Sequence, residues 1–202
     1  MSVGSKHGLV PIDVSHPIWD RFSWVAPLIV VGTREPDGQA DFAPKHMATP
    51  LGWQNHFGFV CTPNHRTYQN AKRERAFTVS YPRPDQVVLT SLAAAPRCDG
   101  ADNPSLDALP TIPASVVSGA LLRDAYMHLE CELEEIFDGF GENSLIAGKV
   151  VAARADEGVL RVSDRDDQEL LMKSPLLAYL PPGHYARIDR SFSFPFPAGF
   201  KR

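Results

Sequence analysis

The chain of 202 residues has little cysteine: Cys61, Cys98 and Cys131 stand alone, with no Cys-x-x-Cys pair. So sparse and odd a set argues against a disulfide framework or a structural zinc site and fits reduced thiols in the cytoplasm. Positive charge is also in short supply. The formal net charge is -4 and the pI near 6.0, so neither nucleic acid nor an anionic membrane surface is an expected partner. No apolar run approaches the ~20 residues that span a bilayer, and residues 25–31 are already among the longest. Residues 1–7 lack the apolar core of a signal segment. Gly-x-Gly-x-x-Gly and Gly-Lys-Ser/Thr are missing, which removes support for Rossmann and P-loop sites. The seven histidines show no His-x-His or His-Glu-x-x-His spacing, so a metal-dependent hydrolase is disfavoured.

What is present is an ordinary globular composition, 44% hydrophobic and 22% charged, enough for one substantial core. We read a single domain over 1–202, with an N-terminal arm (1–24), a Pro- and Asp-rich surface excursion (96–114) and a C-terminal tail (191–202). In the arm, Pro11 and Pro17 block a long helix, while Trp19, Phe22 and Trp24 call for burial. The tail alternates Phe, Ser and Pro, and a dimer contact would hide its aromatic surface.

Between these ends, short β-branched runs predict strands at 27–33, 39–43, 56–62, 76–80, 144–154, 176–180 and 185–188. Gly58 predicts a bulge or a close approach within its strand. Residues 127, 129, 131 and 133 are apolar in strict alternation, so this segment is also a strand, with His128, Glu130, Glu132 and Glu134 facing water. Asp37-Gly38 and Glu157-Gly158 signal hairpin turns. Helices are expected from Thr62-Pro63, where Thr62 is the cap and Asn64 a rival, and over 85–95 and 166–173. Strands thus dominate, with hairpins and a few short helices between them, which points to a Greek-key barrel rather than βαβ units.

Two neighbouring segments could carry chemistry. Pro44 cannot donate to a ladder, so the strand before it should end there, leaving unpaired backbone in residues 45–49 before Pro50. That segment suits the polar edge of a planar ring: Met47 and Ala48 offer apolar contact, Lys45 offers charge, and His46 and Thr49 complete the turn. The helix start beyond Thr62 offers free N–H groups and a positive dipole end to an anion. His65, Arg66 and Thr67 add charge and a hydroxyl there, and Arg66 can grip a phosphate with its fork.

The ordered set Pro27-Leu-Ile-Val-Val-Gly-Thr33, Asp37-Gly-Gln-Ala-Asp-Phe-Ala-Pro-Lys-His-Met47, Arg66-Thr-Tyr-Gln-Asn70 and Phe77-Thr-Val-Ser80 resembles the flavin reductase-like, FMN-binding split-barrel family. Looser matches at 141–150 and 175–185 extend the resemblance over residues 24–190. It implies a mainly β fold with short helices, a Greek-key split β-barrel, in a homodimer with FMN near the subunit interface. It places the ring against Lys45, His46, Met47, Ala48 and Thr49. The phosphate falls near Thr62, Asn64, His65, Arg66 and Thr67, with Asn70 in the same helical motif. His184 and Tyr185 would pack beside the ring. The resemblance further implies hydride transfer from NADH or NADPH to flavin, which then reduces a partner oxygenase or another acceptor.

Several positions depart from the family pattern, among them Lys149, where the strand after the turn usually has Glu. Asp41 replaces the usual Asn, and His46-Met47 a small hydroxyl residue. Gly141-Glu142-Asn143 stands where such reductases often carry Gly-Asp-His. The alternative is therefore a protein that carries electrons on FMN without using NAD(P)H.

Overall fold

Residues 8–95, 104–162 and 167–199 are described by the computed structural model. In chain order the strands begin with β1 (Ala26–Pro27), β2 (Ile29–Arg34), β3 (Ala40–Lys45), β4 (Ala48–Pro50) and β5 (His56–Cys61). Helix α1 (Arg66–Glu74) and β6 (Ala76–Tyr81) follow, then a 3-10 turn (Pro84–Gln86) running into α2 (Val87–Leu92). After the one-turn α3 (Pro104–Asp107) come β7 (Thr111–Pro113), β8 (Ala120–Leu122) and the long pair β9 (Met127–Phe140) and β10 (Asn143–Ala155). The chain closes with α4 (Asp167–Lys173), β11 (Leu176–Leu180) and β12 (His184–Ile188).

Seven strands form one antiparallel sheet in the order β3-β2-β6-β9-β10-β5-β4. Its two edge strands, β3 and β4, are separated in sequence by His46 and Met47 alone. So short a link forces the sheet to curl until its edges meet, which is the closure of a split barrel. The Met47 carbonyl, accepting from the Val60 N–H at 2.8 Å, ties the link to β5. A three-stranded sheet, β1-β11-β12, and the hairpin β7-β8 complete the strands. Inside the curl lie Ile29, Val31, Phe57, Phe59, Phe77, Val79 and Ile146. The rings of Phe59 and Phe77 meet edge to face at 5.1 Å, the geometry their quadrupoles favour. Among the described residues no helix is long and apolar enough to cross a membrane.

Several sequence expectations need correction. Pro44 does not end its strand: β3 runs on to Lys45, with Pro44 opposite Val30. Because β3 pairs only with β2, a residue with no N–H is tolerated at this edge. Helix α1 starts not at Thr62-Pro63 but at Arg66, with His65 as its cap and no side-chain cap bond. Residues 62–65 instead form a turn closed by the His65 N–H donating to the Thr62 carbonyl at 3.0 Å. Residues 156–159 form a 3-10 turn, not a hairpin, because β10 ends at Ala155 and the next strand joins the other sheet. At Gly58 the ladder to β10 is unbroken, so the glycine marks a close approach: a Cβ there would lie 2.9 Å from a Leu51 methyl.

Glu130 is the largest departure. Alternation puts it on the wet face of β9, yet it is only 1% exposed. Its carboxylate accepts the backbone N–H groups of Ser115, Val116 and Val117, the Ser115 hydroxyl and the Arg154 guanidinium. His128, also expected in water, is half-buried, and its Nε2 donates to the Leu122 carbonyl at 2.8 Å. Glu132 and Glu134 are exposed as expected.

Of the excursion, residues 96–103 lie outside the described residues. The rest is not wholly superficial, since Leu106 and Leu109 pack with Val30, Phe42 and Leu122 in a second cluster. Cys98, and residue 166 of the expected last helix, also lie outside the described residues. Trp19, 57% exposed, meets Phe22 at a tilt and Trp24 edge-on, and in the tail Phe192 and Phe194 are 87% and 70% exposed.

Candidate functional site

Three segments converge where β3 hands over to β4, β5 hands over to α1, and the β9–β10 hairpin turns. Lys45 closes β3, and its positive charge lies close enough to the buried Cys61 thiol at the end of β5 to favour the thiolate. Cys61 Sγ also lies 3.9 Å from His65 Nδ1, the cap of α1. Burial pushes the Cys61 thiol up, against the pull of Lys45. Burial, and after it the Lys45 charge, lowers both His46 and His65 from the ordinary imidazole value.

Beside this cluster is a cleft of about 540 Å³, lined on one wall by Thr62, Pro63, Asn64 and His65 and on the other by residues of the 138–144 hairpin. The first wall suits an anion. As the first two residues of α1, Arg66 and Thr67 have N–H groups without intrahelical acceptors, at the positive end of the helix dipole. The Thr62 hydroxyl is buried with no hydrogen-bond partner, and leaving a buried hydroxyl unpaired costs about 1–3 kcal/mol. The second wall is acidic, with Asp138 and Glu142. The Asp138 carboxylate is engaged there by the hydroxyls of Tyr68 and Ser144.

Not every residue singled out from sequence faces this cleft. Arg66 pairs with the buried Glu35 at 3.2 Å. The Thr67 hydroxyl donates to Asp41 at 3.4 Å, and Thr33 donates to the same oxygen at 3.2 Å. Asn70 is buried, giving its amide to Thr33 and accepting from Arg73. These bonds hold α1 against the β2–β3 hairpin, so replacing Arg66 or Thr67 disturbs folding as well as any ligand.

The turn between the barrel edges divides as well. Only His46 and Met47 lie between strands, while Lys45, Ala48 and Thr49 belong to β3 and β4, which leaves less open backbone than expected. Ala48 is in the core; Met47 and Thr49 are exposed. The His46 ring lies against Tyr179 at 4.9 Å and Trp24 at 5.9 Å. His184 and Tyr185 line a second cavity beside it. Sequence reasoning passed over Cys61 and Asp138 as parts of the site, and singled out the hairpin between β9 and β10 only through Gly141-Glu142-Asn143.

Comparison with known proteins gives this arrangement a family. Residues 22–181 match the flavin reductase like domain. Similar solved structures include an FMN-binding protein from Thermus thermophilus with bound p-hydroxybenzaldehyde, at 24% identity and TM-score 0.75 over 93% of this chain and 100% of that one. A split-barrel protein of the flavin reductase type from Shewanella frigidimarina aligns at 15% identity and TM-score 0.73, over 86% of this chain and 87% of the other. An NADH:FAD oxidoreductase from Streptomyces globisporus aligns at 15% identity and TM-score 0.65, over 82% and 87%. No curated protein sequence matches the chain. Likenesses at such identities establish the fold, and the family match spans most of the sequence: the chain belongs to the flavin reductase-like domain family.

Proposed function

We propose that this chain is an FMN-dependent oxidoreductase that moves electrons from NADH or NADPH to an acceptor such as a partner oxygenase. The observation that carries the reading is the orphaned Thr62 hydroxyl at the start of α1, on the wall of a cleft large enough for a cofactor. A terminal phosphate fits that wall: the Thr62 hydroxyl, the N–H groups of Arg66 and Thr67, and the Asn64 and His65 side chains offer it donors. Lys45, whose charge acts on His65 and Cys61, adds positive charge nearby. Residues 45–49, at the closure of the barrel, would hold the ring, and Met47 and Thr49 there are exposed. The chemistry FMN supplies when bound is the reversible uptake of a hydride equivalent; the chain's part is to bind, orient and exclude water. Exposed aromatics in the arm and tail support a homodimer that covers them.

One observation favours a second reading, an electron carrier that does not use NAD(P)H. The wall facing the start of α1 carries Asn143, an uncharged donor, where reductases of the resembled family often carry a His near the nicotinamide. Titration of FMN into the wild-type protein and Thr62→Val tests the phosphate assignment; loss of one buried hydrogen bond to a charged group weakens affinity by about tenfold or more. Equal affinities would remove Thr62 from the site. NADH and NADPH oxidation by the FMN-loaded protein then separates the two readings.

A further inference from the structure

At the same barrel closure lies a second cavity, of about 390 Å³, lined by Pro44, His46 and residues of α2, β11 and β12. Its walls are unlike those of the cleft just described. Rings form one side: His46, Tyr179, His184 and Tyr185. The His46 and Tyr179 rings lie 4.9 Å apart at 45°. Helix α2 contributes Thr90 and Ser91 opposite, and aliphatic side chains fill the remainder. None of the described lining residues is Asp, Glu, Lys or Arg.

The hydrogen-bonding capacity of the cavity has a definite sense. The Tyr179 hydroxyl accepts the Gly183 N–H at 2.9 Å, so its own proton is still available to donate. The Thr90 hydroxyl spends its proton on the Gln86 carbonyl at 2.9 Å. The Ser91 hydroxyl and the His184 ring add further donors at the rim. A ligand here meets aromatic faces, aliphatic contacts and hydroxyl donors, with no ionic partner to offset the cost of burying a charge.

We propose that this cavity binds a neutral, planar aromatic compound carrying a carbonyl oxygen, with its ring against His46 and Tyr179 and its oxygen accepting from the Tyr179 hydroxyl. The size suits a mono- or bicyclic ring system and falls in the range of small-molecule sites. His46 belongs to the link assigned above to the flavin ring, so the cavity would hold the second ligand of that site. This role rests on the flavin reading; the binding itself does not.

The test is calorimetric titration of the flavin-free protein with coumarin, a neutral bicyclic lactone, and with 1-naphthoate, a bicyclic ring bearing a carboxylate. Coumarin binds saturably, and 1-naphthoate at least about tenfold more weakly, since its charge finds no cation. Tyr179→Phe keeps the ring and removes the donor, and weakens coumarin about threefold to tenfold. That hydroxyl also steadies the Gly183 turn, so Ser91→Trp, at an exposed α2 position, serves as an independent block and weakens coumarin at least about tenfold. Failure of coumarin to bind, equal binding of the two probes, or unchanged affinity in Ser91→Trp overturns the inference. FMN titration of wild type and Ser91→Trp keeps the two claims apart. The variant binds FMN like wild type, and a wild-type protein that rejects FMN refutes the flavin reading while the coumarin data still decide this one.

Discussion

Glu130→Gln isolates the strongest local electrostatic feature of the fold. Burial pushes the Glu130 carboxyl up, but the N–H groups of Ser115, Val116 and Val117 and the Ser115 hydroxyl outweigh it and hold the group down to about 2, from an ordinary 4.5. At about 1.4 kcal/mol for each pKa unit, ionised Glu130 contributes roughly 3 kcal/mol to the folded state. The sign follows from the depressed value. The contribution is complete above the unfolded-state value of 4.5 and is lost as pH falls toward 2, with about half gone near pH 3. Gln keeps the shape, removes the charge and replaces one of the two acceptor oxygens by an NH2 that faces N–H donors, so some of them lose their acceptor. Urea unfolding followed by tryptophan fluorescence should therefore show Glu130→Gln destabilised by roughly 3 kcal/mol at pH 6, and by about half that at pH 3. A difference that is the same at both pH values, or below about 1 kcal/mol at pH 6, refutes the idea that the 115–117 loop is clamped by a buried anion.

Other substitutions and labels follow from the same contacts. Arg66→Ala takes a partner from the buried Glu35 and should lower stability by about 1–2 kcal/mol in the same unfolding assay; an unchanged midpoint would make the pair a surface ornament. Gly148→Ala places a Cβ 2.6 Å from the Phe77 ring and 2.8 Å from the Glu132 carbonyl, so a loss of about 1–3 kcal/mol is expected from thermal or urea melts. Burial raises the Cys61 thiol and pushes Cys131 up to about 12, so neither should alkylate with iodoacetamide at pH 8 until the chain unfolds. Peptide mass mapping reads this site by site, and rapid native labelling of either would contradict their burial.

The barrel strands were legible because their apolar runs are short, β-branched and bounded by turn residues, as in residues 29–34, 56–61 and 76–81. Asp37-Gly38 was equally plain: the Gly38 N–H closes the turn on the Glu35 carbonyl at 2.9 Å with φ 88°. What escaped was non-local. Nothing along β9 tells that residues 115–117 will fold over its outer face and turn Glu130 inward. Pro44 reads as a strand end until the strand order makes β3 an edge, where a missing N–H costs no ladder bond. Thr62-Pro63 carries a helix-start signature, yet the Thr62 carbonyl closes a turn and its hydroxyl is left over. The polar residues at the start of α1 were recognised as a group, but Thr67 and Asn70 serve the contact with β2 and β3. Only the neighbouring strands could reveal that.

The account turns on whether the cleft at the start of α1, beside the Lys45–Cys61–His65 cluster, holds a flavin. The direct measurement is the visible absorption spectrum of the purified protein, before and after addition of FMN. A bound flavin chromophore, released on denaturation and identified by mass as FMN, is the expected result. A colourless protein that neither gains those bands nor quenches the fluorescence of added FMN would contradict it.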